Sequence, residues 1–322
     1  MTRSTGAISI AALALLVGSA SAQNYPSRPV HLVVPNAPAG ATDILCRLLA
    51  EPLAPRLGQQ VVVDNKPGAG GNIAARFVAK APGDGYTLLL MIRGIATAPA
   101  LSKDPGFDPI KDFTPVALLA VQSMLLSVHP SLPASTVGEL VTYAKARPGQ
   151  LSYATPGVGT PHHLAMEMFK QIARVDMVHV PYKGGAPAVQ DVVAGLVPVM
   201  FASYVIAGPY MQVGKLRALG ASGRERNTQA PDLPTIAEQG YPGFDVEPWF
   251  GLVAPSGTPP AAIARLNPDI NAVLGNAEMR QRLLKIGFDP VPAKSEREFG
   301  DIIRADVAKW TKVIREANLA PE

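Results

Sequence analysis

Glycine-containing turns between apolar stretches and helical patterns are the first candidates for chemistry in this sequence. The segment "NAPAGATD" at residues 36–43 follows the apolar run "HLVV" and leads into a helical pattern with Asp43 in its first turn. The segments "TPGVGTPHH" at 155–163 and "VPYKGG" at 180–185 have a similar form. Glycine lets a ligand approach the backbone, and the free amides of a helix's first turn attract an anion. The alternative at the first turn is an ordinary strand-to-helix connection, and Asp43 argues against a phosphate there because it adds a like charge.

Charged side chains near these turns offer further candidates. Arg93, in "MIRG", ends another apolar run, where its guanidinium suits bidentate recognition of a carboxylate. Lys183 precedes two glycines and is a candidate countercharge; for both cations the alternative is a solvated surface residue. His162 and His163 suggest a metal site with Glu167, but adjacent helical residues point about 100° apart and no third ligand has metal-binding spacing.

The sequence lacks the signatures of common enzymes. It contains no G-x-S-x-G, no H-E-x-x-H and no cysteine–histidine nucleophile pattern. The segment "DNKPGAGG" at residues 64–71 fails as a dinucleotide fingerprint, because the third glycine would stand at Ile73, and it lacks the lysine of a phosphate-binding P-loop. We interpret it as a structural turn with a helix start. Several anion-binding turns with little acid–base machinery indicate capture of a ligand without conversion.

The elements that must position these turns alternate between short apolar strands and helices, which predicts an α/β fold with helices on both faces of parallel-rich sheets. The predicted strands are 30–35, 60–64, 87–91, 116–128, 151–154, 176–180, 198–201, 216–221 and 249–254. The predicted helices include 136–147, 162–173, 186–194, 260–274, 277–286 and 296–317. If the long strands 116–128 and 249–254 both cross between lobes, two lobes share a hinge and a cleft. Periodicity alone leaves two consecutive domains as the alternative.

The N-terminus and the bulk composition indicate the compartment. Arg3 precedes an apolar core at residues 7–17 and the cleavage pattern Ala20-Ser21-Ala22, which predicts a signal peptide at 1–22 and an exported, periplasmic protein. The single cysteine, Cys46, excludes an internal disulfide. A net charge of +4 without a basic run argues against nucleic acid and suits a small anionic ligand.

Together these segments resemble the substrate-binding proteins of tripartite tricarboxylate transporters, also called Bug receptors. The resemblance rests on ordered motifs over nearly the whole mature chain: "YPSRPVHLVVPNAPAGATD", "VVVDNKPGAGGNIAA", "PGDGYTLL", "ELVTYAKARPGQLSYATPGVGTPHHLA", "VHVPYKGGAPAVQDVVAGLV", "GKLRALGAS", "PDLPTIAEQGYPGF" and "WFGLVAPSGTP". It implies a two-lobed solute-binding protein with lobe 1 at 23–125 and 251–322, lobe 2 at 126–250, and a two-strand hinge. It also implies that the protein closes on a small di- or tricarboxylate or aromatic acid and delivers it to membrane permease subunits. We expect a monomer without metal or cofactor.

By position, the resemblance transfers ligand contacts at residues 37, 39–43, 157, 160, 162 and 163, on both sides of the cleft. The other expected contacts are the two candidate cations and residues of the segments that depart from the family pattern. The expected ligand-binding residues are Ala37, Ala39, Gly40, Ala41, Thr42, Asp43, Arg93, Gly94, Gly157, Thr160, His162, His163, Lys183, Ser203 and Tyr204. Asp43 is expected to order its loop more than to touch an anionic ligand.

Three departures from the family pattern bear on the ligand. Ala39 replaces one of two paired glycines, Arg93-Gly94-Ile95 replaces Thr, Gly and His, and Ala202-Ser203-Tyr204 lacks an Asp that is often present. These changes suggest a ligand without a free amine and with an aromatic or longer body against Tyr204. Two other functions remain open at this point: a receptor that signals to a membrane sensor kinase, which neighbouring genes would reveal, and, with less support, an exported hydrolase.

Overall fold

The computed structural model describes residues 25–182, 184–317 and 319, and the predicted signal peptide lies outside them. Eleven strands and ten helices alternate along these residues. They are β1 (Val30–Val34), α1 (Ala41–Leu57), β2 (Val61–Asn65), α2 (Asn72–Ala79), β3 (Thr87–Ile92), α3 (Arg93–Leu101), β4 (Phe113–Val121), β5 (Met124–Val128), α4 (Val137–Lys145), β6 (Ser152–Thr155), α5 (Pro161–Ala173), β7 (Val178–Pro181), α6 (Gly185–Val193), β8 (Val199–Ser203), α7 (Tyr204–Gln212), β9 (Arg217–Ala221), β10 (Trp249–Pro255), α8 (Pro260–Leu274), α9 (Ala277–Lys285), β11 (Asp289–Pro290) and α10 (Glu296–Glu316).

The strands form two sheets, one in each lobe, which confirms the predicted two-lobed α/β architecture. The first sheet has the order β11-β4-β10-β3-β1-β2 and the second the order β7-β6-β8-β5-β9. Only the pairs around β1 and β6 are parallel, whereas β10, β4, β5 and β11 pair antiparallel with their neighbours. The sheets are therefore mixed rather than parallel-rich, because several strands enter without the helical crossover that a parallel neighbour requires.

The chain passes between the sheets at two adjacent places. The predicted strand 116–128 is in fact β4 and β5, separated by Gln122 and Ser123 and assigned to different sheets. The return runs from β9 to β10, and the Gln122 amide donates to the carbonyl of Pro248. The two crossing segments thus contact each other, although the predicted lobe boundaries at 125/126 and 250/251 remain predictions.

Helix α10 is a third connection between the lobes. Phe299 and Ile303, in its first half, belong to the apolar core that β3 and β10 share in the first lobe. Trp310, Val313 and Ile314 belong to the main core of the second lobe, with Leu126 and Phe169 among its other members. The helix starts with a capping box between Ser295 and Glu298, which satisfies its exposed amides. The C-terminal residues of the helix therefore stabilise the second lobe, which the predicted division at residue 251 does not anticipate.

Each lobe buries an extensive apolar core, consistent with a chain whose only cysteine, Cys46, is buried and unpaired. Among the residues that the structure describes, no helix combines the length and apolar character needed to cross a membrane.

Candidate functional site

A cavity of about 370 Å³ lies where loops of the two lobes meet. Its first-lobe lining comes from three turns and from the chain around the start of β10: Pro35, Asn36, Ala37, Pro67, Gly68, Gly70, Gly71, Ile92, Arg93, Gly94, Pro248, Trp249 and Phe250. Its second-lobe lining is Val158, Gly159, Thr160 and Pro161. The volume is typical of small-molecule sites. None of the described residues lining it is an aspartate or a glutamate.

The first-lobe turns converge because their strands are neighbours. The parallel strands β2, β1 and β3 lie side by side, so the loops after them leave the same edge of the sheet. Close backbone approach there depends on glycine. A Cβ atom on Gly71 would lie 2.9 Å from Ile95 Cγ1 and 3.1 Å from Pro35 Cβ. The segment at residues 64–71, interpreted from sequence as structural only, therefore forms part of the cavity wall.

The turn before α1 is braced by Asp43. This carboxylate is buried, accepts a hydrogen bond from the Ala39 amide at 2.9 Å, and pairs with Arg47 Nε at 3.0 Å. The hydrogen bond from Arg47 holds the pKa of Asp43 below its usual range. Its geometry agrees with the expected role of ordering the loop. Ala37 lines the cavity, whereas Ala39 to Thr42 lie beside it, and their contact with ligand remains a prediction.

Ala39 adopts a φ of 64°, the left-handed region that favours glycine. An L-residue pays about 1–2 kcal/mol there, while glycine loses about 0.4–1 kcal/mol through its greater freedom in the unfolded chain. We therefore expect Ala39→Gly to raise the free energy of unfolding by up to about 1 kcal/mol in urea denaturation. Ala272→Gly, an exposed site within α8, is the control and should lower stability by about 1 kcal/mol. Equal losses in both variants would contradict the strain at Ala39.

The second-lobe turn is also held by its own side chains. Thr160 Oγ1 donates to the carbonyl of Gly157 at 2.8 Å and accepts from the His163 amide, so it caps α5. Pro161 occupies the first helical position, which suits a residue without an N–H. Thr160 lines the cavity, while Gly157 lies behind it, with a φ of 146° that only glycine adopts readily.

His163 lies beneath this turn and is 2% exposed. Its Nδ1 accepts from the Gly159 amide at 3.1 Å, and its ring stacks on His179 at 4.0 Å between centroids. Burial, aided by His179, lowers the pKa of His163 to about 4. His163 is therefore neutral near pH 7, and its geometry supports the turn rather than offering a charge to a carboxylate.

His162 gives no evidence for the metal site weighed from sequence. Burial lowers its pKa to about 4, and its Nδ1 has no partner among the described residues. Within that part of the chain, no group of three or more histidine, cysteine, aspartate or glutamate side chains could hold a metal ion.

Arg93 lines the cavity, but its charge is already paired. The side chain is 3% exposed, and its Nε donates to Asp306 Oδ2 at 3.1 Å. Its Nη2 donates to the carbonyl of Glu247, and the guanidinium lies 4.8 Å from the ring centroid of Trp310. Its Nη1 is buried and has no hydrogen-bond partner among the described residues. This geometry does not support the expected direct countercharge.

Two further predicted residues, Ser203 and Tyr204, lie outside the cavity lining. Ser203 is buried at the end of β8 and Tyr204 starts α7, so the expected stacking of a ligand body on Tyr204 finds no support in the lining. Lys183 lies outside the described residues. The apolar part of the lining instead includes Ile92, Trp249 and Phe250, of which Trp249 and Phe250 are only 3% and 9% exposed. The sequence signal for the aromatic pair was the "PWFG" at the start of a strand already expected to cross between lobes.

Comparison with known proteins places this geometry in a family. The model of the tripartite tricarboxylate transporter family receptor, TctC, matches residues 45–319. Protein BugT of Bordetella pertussis is 36% identical over 319 residues, which cover 98% of each chain.

Solved structures agree with the sequence relatives. The structure of R. palustris Rpa4515 with adipate has a TM-score of 0.78 and 39% identity, covering 92% of this chain and 100% of that one. The structure of MatC (Rpa3494) from Rhodopseudomonas palustris with bound malate has a TM-score of 0.74 and 34% identity, covering 90% and 100%. The chain belongs to the tripartite tricarboxylate transporter receptor family, the TctC/Bug family of periplasmic solute-binding proteins.

Proposed function

We propose that this protein is a non-enzymatic periplasmic receptor that captures a small organic carboxylate with an apolar body and delivers it to transporter permease subunits. The proposal rests mainly on the cavity between the lobes, whose lining combines helix starts, glycine turns and aromatic residues. Its described lining residues include no acidic side chain. The relatives with bound adipate and malate support a carboxylate ligand. Export after cleavage behind Ala22 and a monomeric state belong to the same proposal.

The cavity supplies anion contacts mainly through the backbone. Helix α3 starts at Arg93 and Gly94 and has no side-chain cap. At the start of α5, Pro161 has no N–H and Thr160 caps the His163 amide, so α5 contributes the positive end of its dipole more than free amides. The first amides of a helix have no partner within the helix, and the positive end of its dipole stabilises an anion by about 0.3–1 kcal/mol when exposed and up to about 2 kcal/mol when partly buried. The two helix starts belong to opposite lobes. A carboxylate bound between them would favour the closed state by its higher affinity for that state.

The other side of the cavity favours an apolar ligand body. Trp249 and Phe250 are adjacent in β10, and Val158, on the second lobe, is 68% exposed. Covering such a side chain with apolar ligand surface removes it from water at about 25 cal/mol per Å². Since the charge of Arg93 is paired with Asp306, a second carboxylate would gain little from that guanidinium.

Ligand screening tests this function. We expect adipate or a related acid with an apolar chain to raise the melting temperature of the mature protein, and the corresponding diamide, which lacks the charge, to have little effect. Native mass spectrometry of the protein as purified would identify a retained acid. Stabilisation by the diamide equal to that by the acid, or hydrolysis of ester substrates by the purified protein, would contradict the proposal.

A further inference from the structure

Asp306, in the middle of α10, accepts hydrogen bonds from three buried donors although it does not line the cavity. Its Oδ2 accepts from Arg93 Nε at 3.1 Å and from Trp249 Nε1 at 2.8 Å. Its Oδ1 accepts from Trp310 Nε1 at 2.7 Å. Arg93 and Trp249 both line the cavity, and Trp310 lies in the core of the second lobe. One carboxylate thus joins two walls of the site to the helix that connects the lobes.

We propose that Asp306 is a positioning residue of the ligand site, which fixes the Trp249 ring and the start of α3 at the cavity and thereby sets ligand affinity. The affinity part of this inference rests on the proposed binding function; the positioning part does not. Hydrogen bonds to a charged acceptor are stronger than neutral ones, and a site whose supporting shell loosens by about 1 Å loses much of its affinity.

The hydrogen bonds explain why a carboxylate is needed. Each of the two Asp306 oxygens already accepts, and an asparagine would present one oxygen and one NH2 group. If its oxygen faced Trp310, its NH2 would face the donors of Arg93 and Trp249. The reverse orientation would set the NH2 against Trp310. Neither orientation satisfies all three donors, and both leave the buried Arg93 without its counterion.

The composition provides a direct probe. The chain has two tryptophans, and both donate to Asp306, so indole fluorescence reports on this cluster. In a Trp310→Phe background, excitation at a wavelength that indole absorbs and tyrosine does not reports on Trp249 alone. We expect Asp306→Asn in that background to raise the acrylamide quenching constant of Trp249 by about twofold, because the indole loses the hydrogen bond that fixes it to α10.

A control at a second buried carboxylate, whose arginine partners are about half exposed, separates positioning from the general loss of an ion pair. Asp269 in α8 also has a side chain 11% exposed and pairs with Arg56 and Arg265 at 3.2 and 3.1 Å, away from the cavity lining. Asp269→Asn should leave Trp249 quenching unchanged. If Asp306→Asn does not fold, the double variant with Arg93→Gln removes the unpaired buried charge and serves for the same measurement.

Affinity is the second measurement. In the protein that retains both tryptophans, we expect Asp306→Asn to weaken adipate binding about tenfold or more, as measured by calorimetry. Asp269→Asn should weaken it less than about twofold. Unchanged Trp249 quenching in Asp306→Asn would overturn the positioning role, whether or not adipate binds. A wild-type protein that binds no carboxylate would overturn the proposed function, and quenching would still decide the role of Asp306.

Discussion

Gly71→Ala should weaken carboxylate binding by about tenfold or more and lower the free energy of unfolding by about 2–4 kcal/mol. Gly71 has a φ of 99°, so any other residue at this position is strained. Its added Cβ would also lie 2.9 Å from Ile95 Cγ1 and 3.1 Å from Pro35 Cβ. Ile95 is in the first turn of α3, and Pro35 follows β1, so the methyl group must push apart the turns that form the first-lobe wall.

The control for this substitution is Gly58→Ala, at the C-terminal end of α1. Gly58 has a comparable φ of 69°, but a Cβ there would meet no atom within 4 Å. This variant isolates the backbone strain, about 1–2 kcal/mol, from displacement of the cavity turns. Calorimetry with adipate and urea denaturation would be measured for both variants. Wild-type affinity in a folded Gly71→Ala protein would show that the glycine turn is structural only, as the sequence interpretation held.

The position of this glycine turn shows which part of the cavity the sequence could not supply. Residues 64–71 match no nucleotide-binding pattern. Their place in the cavity follows from the neighbouring positions of β2, β1 and β3, which bring three loops to one sheet edge. Strand order is a tertiary property, so local pattern located the turns at residues 36–43 and 155–163 but could not decide which other turns join them.

The ion pair of Arg93 could not be inferred from neighbouring residues for a similar reason. A cation at a strand end is a reasonable carboxylate ligand, and nothing near it in sequence indicates a counterion. The counterion is Asp306, 213 residues later, on a helix whose apolar periodicity was predicted but whose docking between lobes was not. Family resemblance transferred His163 as a ligand contact in the same way, whereas burial and the bond from the Gly159 amide place it as support beneath the turn.

Glu247→Gln should stabilise the protein at pH 8 by about 2–3 kcal/mol and have almost no effect at pH 4. Glu247 precedes β10, and its carboxylate packs so closely on Gly223 that a Cβ there would lie 2.2 Å from Oε1. Burial is the largest cause that raises its pKa from 4.5 to about 7. The charges of Asp245, Asp289 and Glu225 add to the rise, while Arg93 opposes it.

The direction of the pH dependence follows from proton binding. Between about pH 4.5 and pH 7 the folded protein keeps a proton on Glu247 that the unfolded chain releases. The folded state binds more protons in this window, so the contribution of Glu247 to stability falls as pH rises and reaches its full penalty above pH 7. Glutamine retains the shape and the polarity of the protonated acid but never ionises, so it avoids the penalty at high pH.

Urea denaturation across this pH range checks the expectation. The stability difference between Glu247→Gln and the wild type should grow from near zero below pH 4.5 to its maximum above pH 7. Glu316→Gln, at an exposed position at the end of α10, is the control and should stay within about 0.5 kcal/mol of the wild type throughout. If the stability difference between Glu247→Gln and the wild type did not change with pH, the carboxylate would be solvated in the folded protein. Its pKa would then not be raised by burial and by its acidic neighbours.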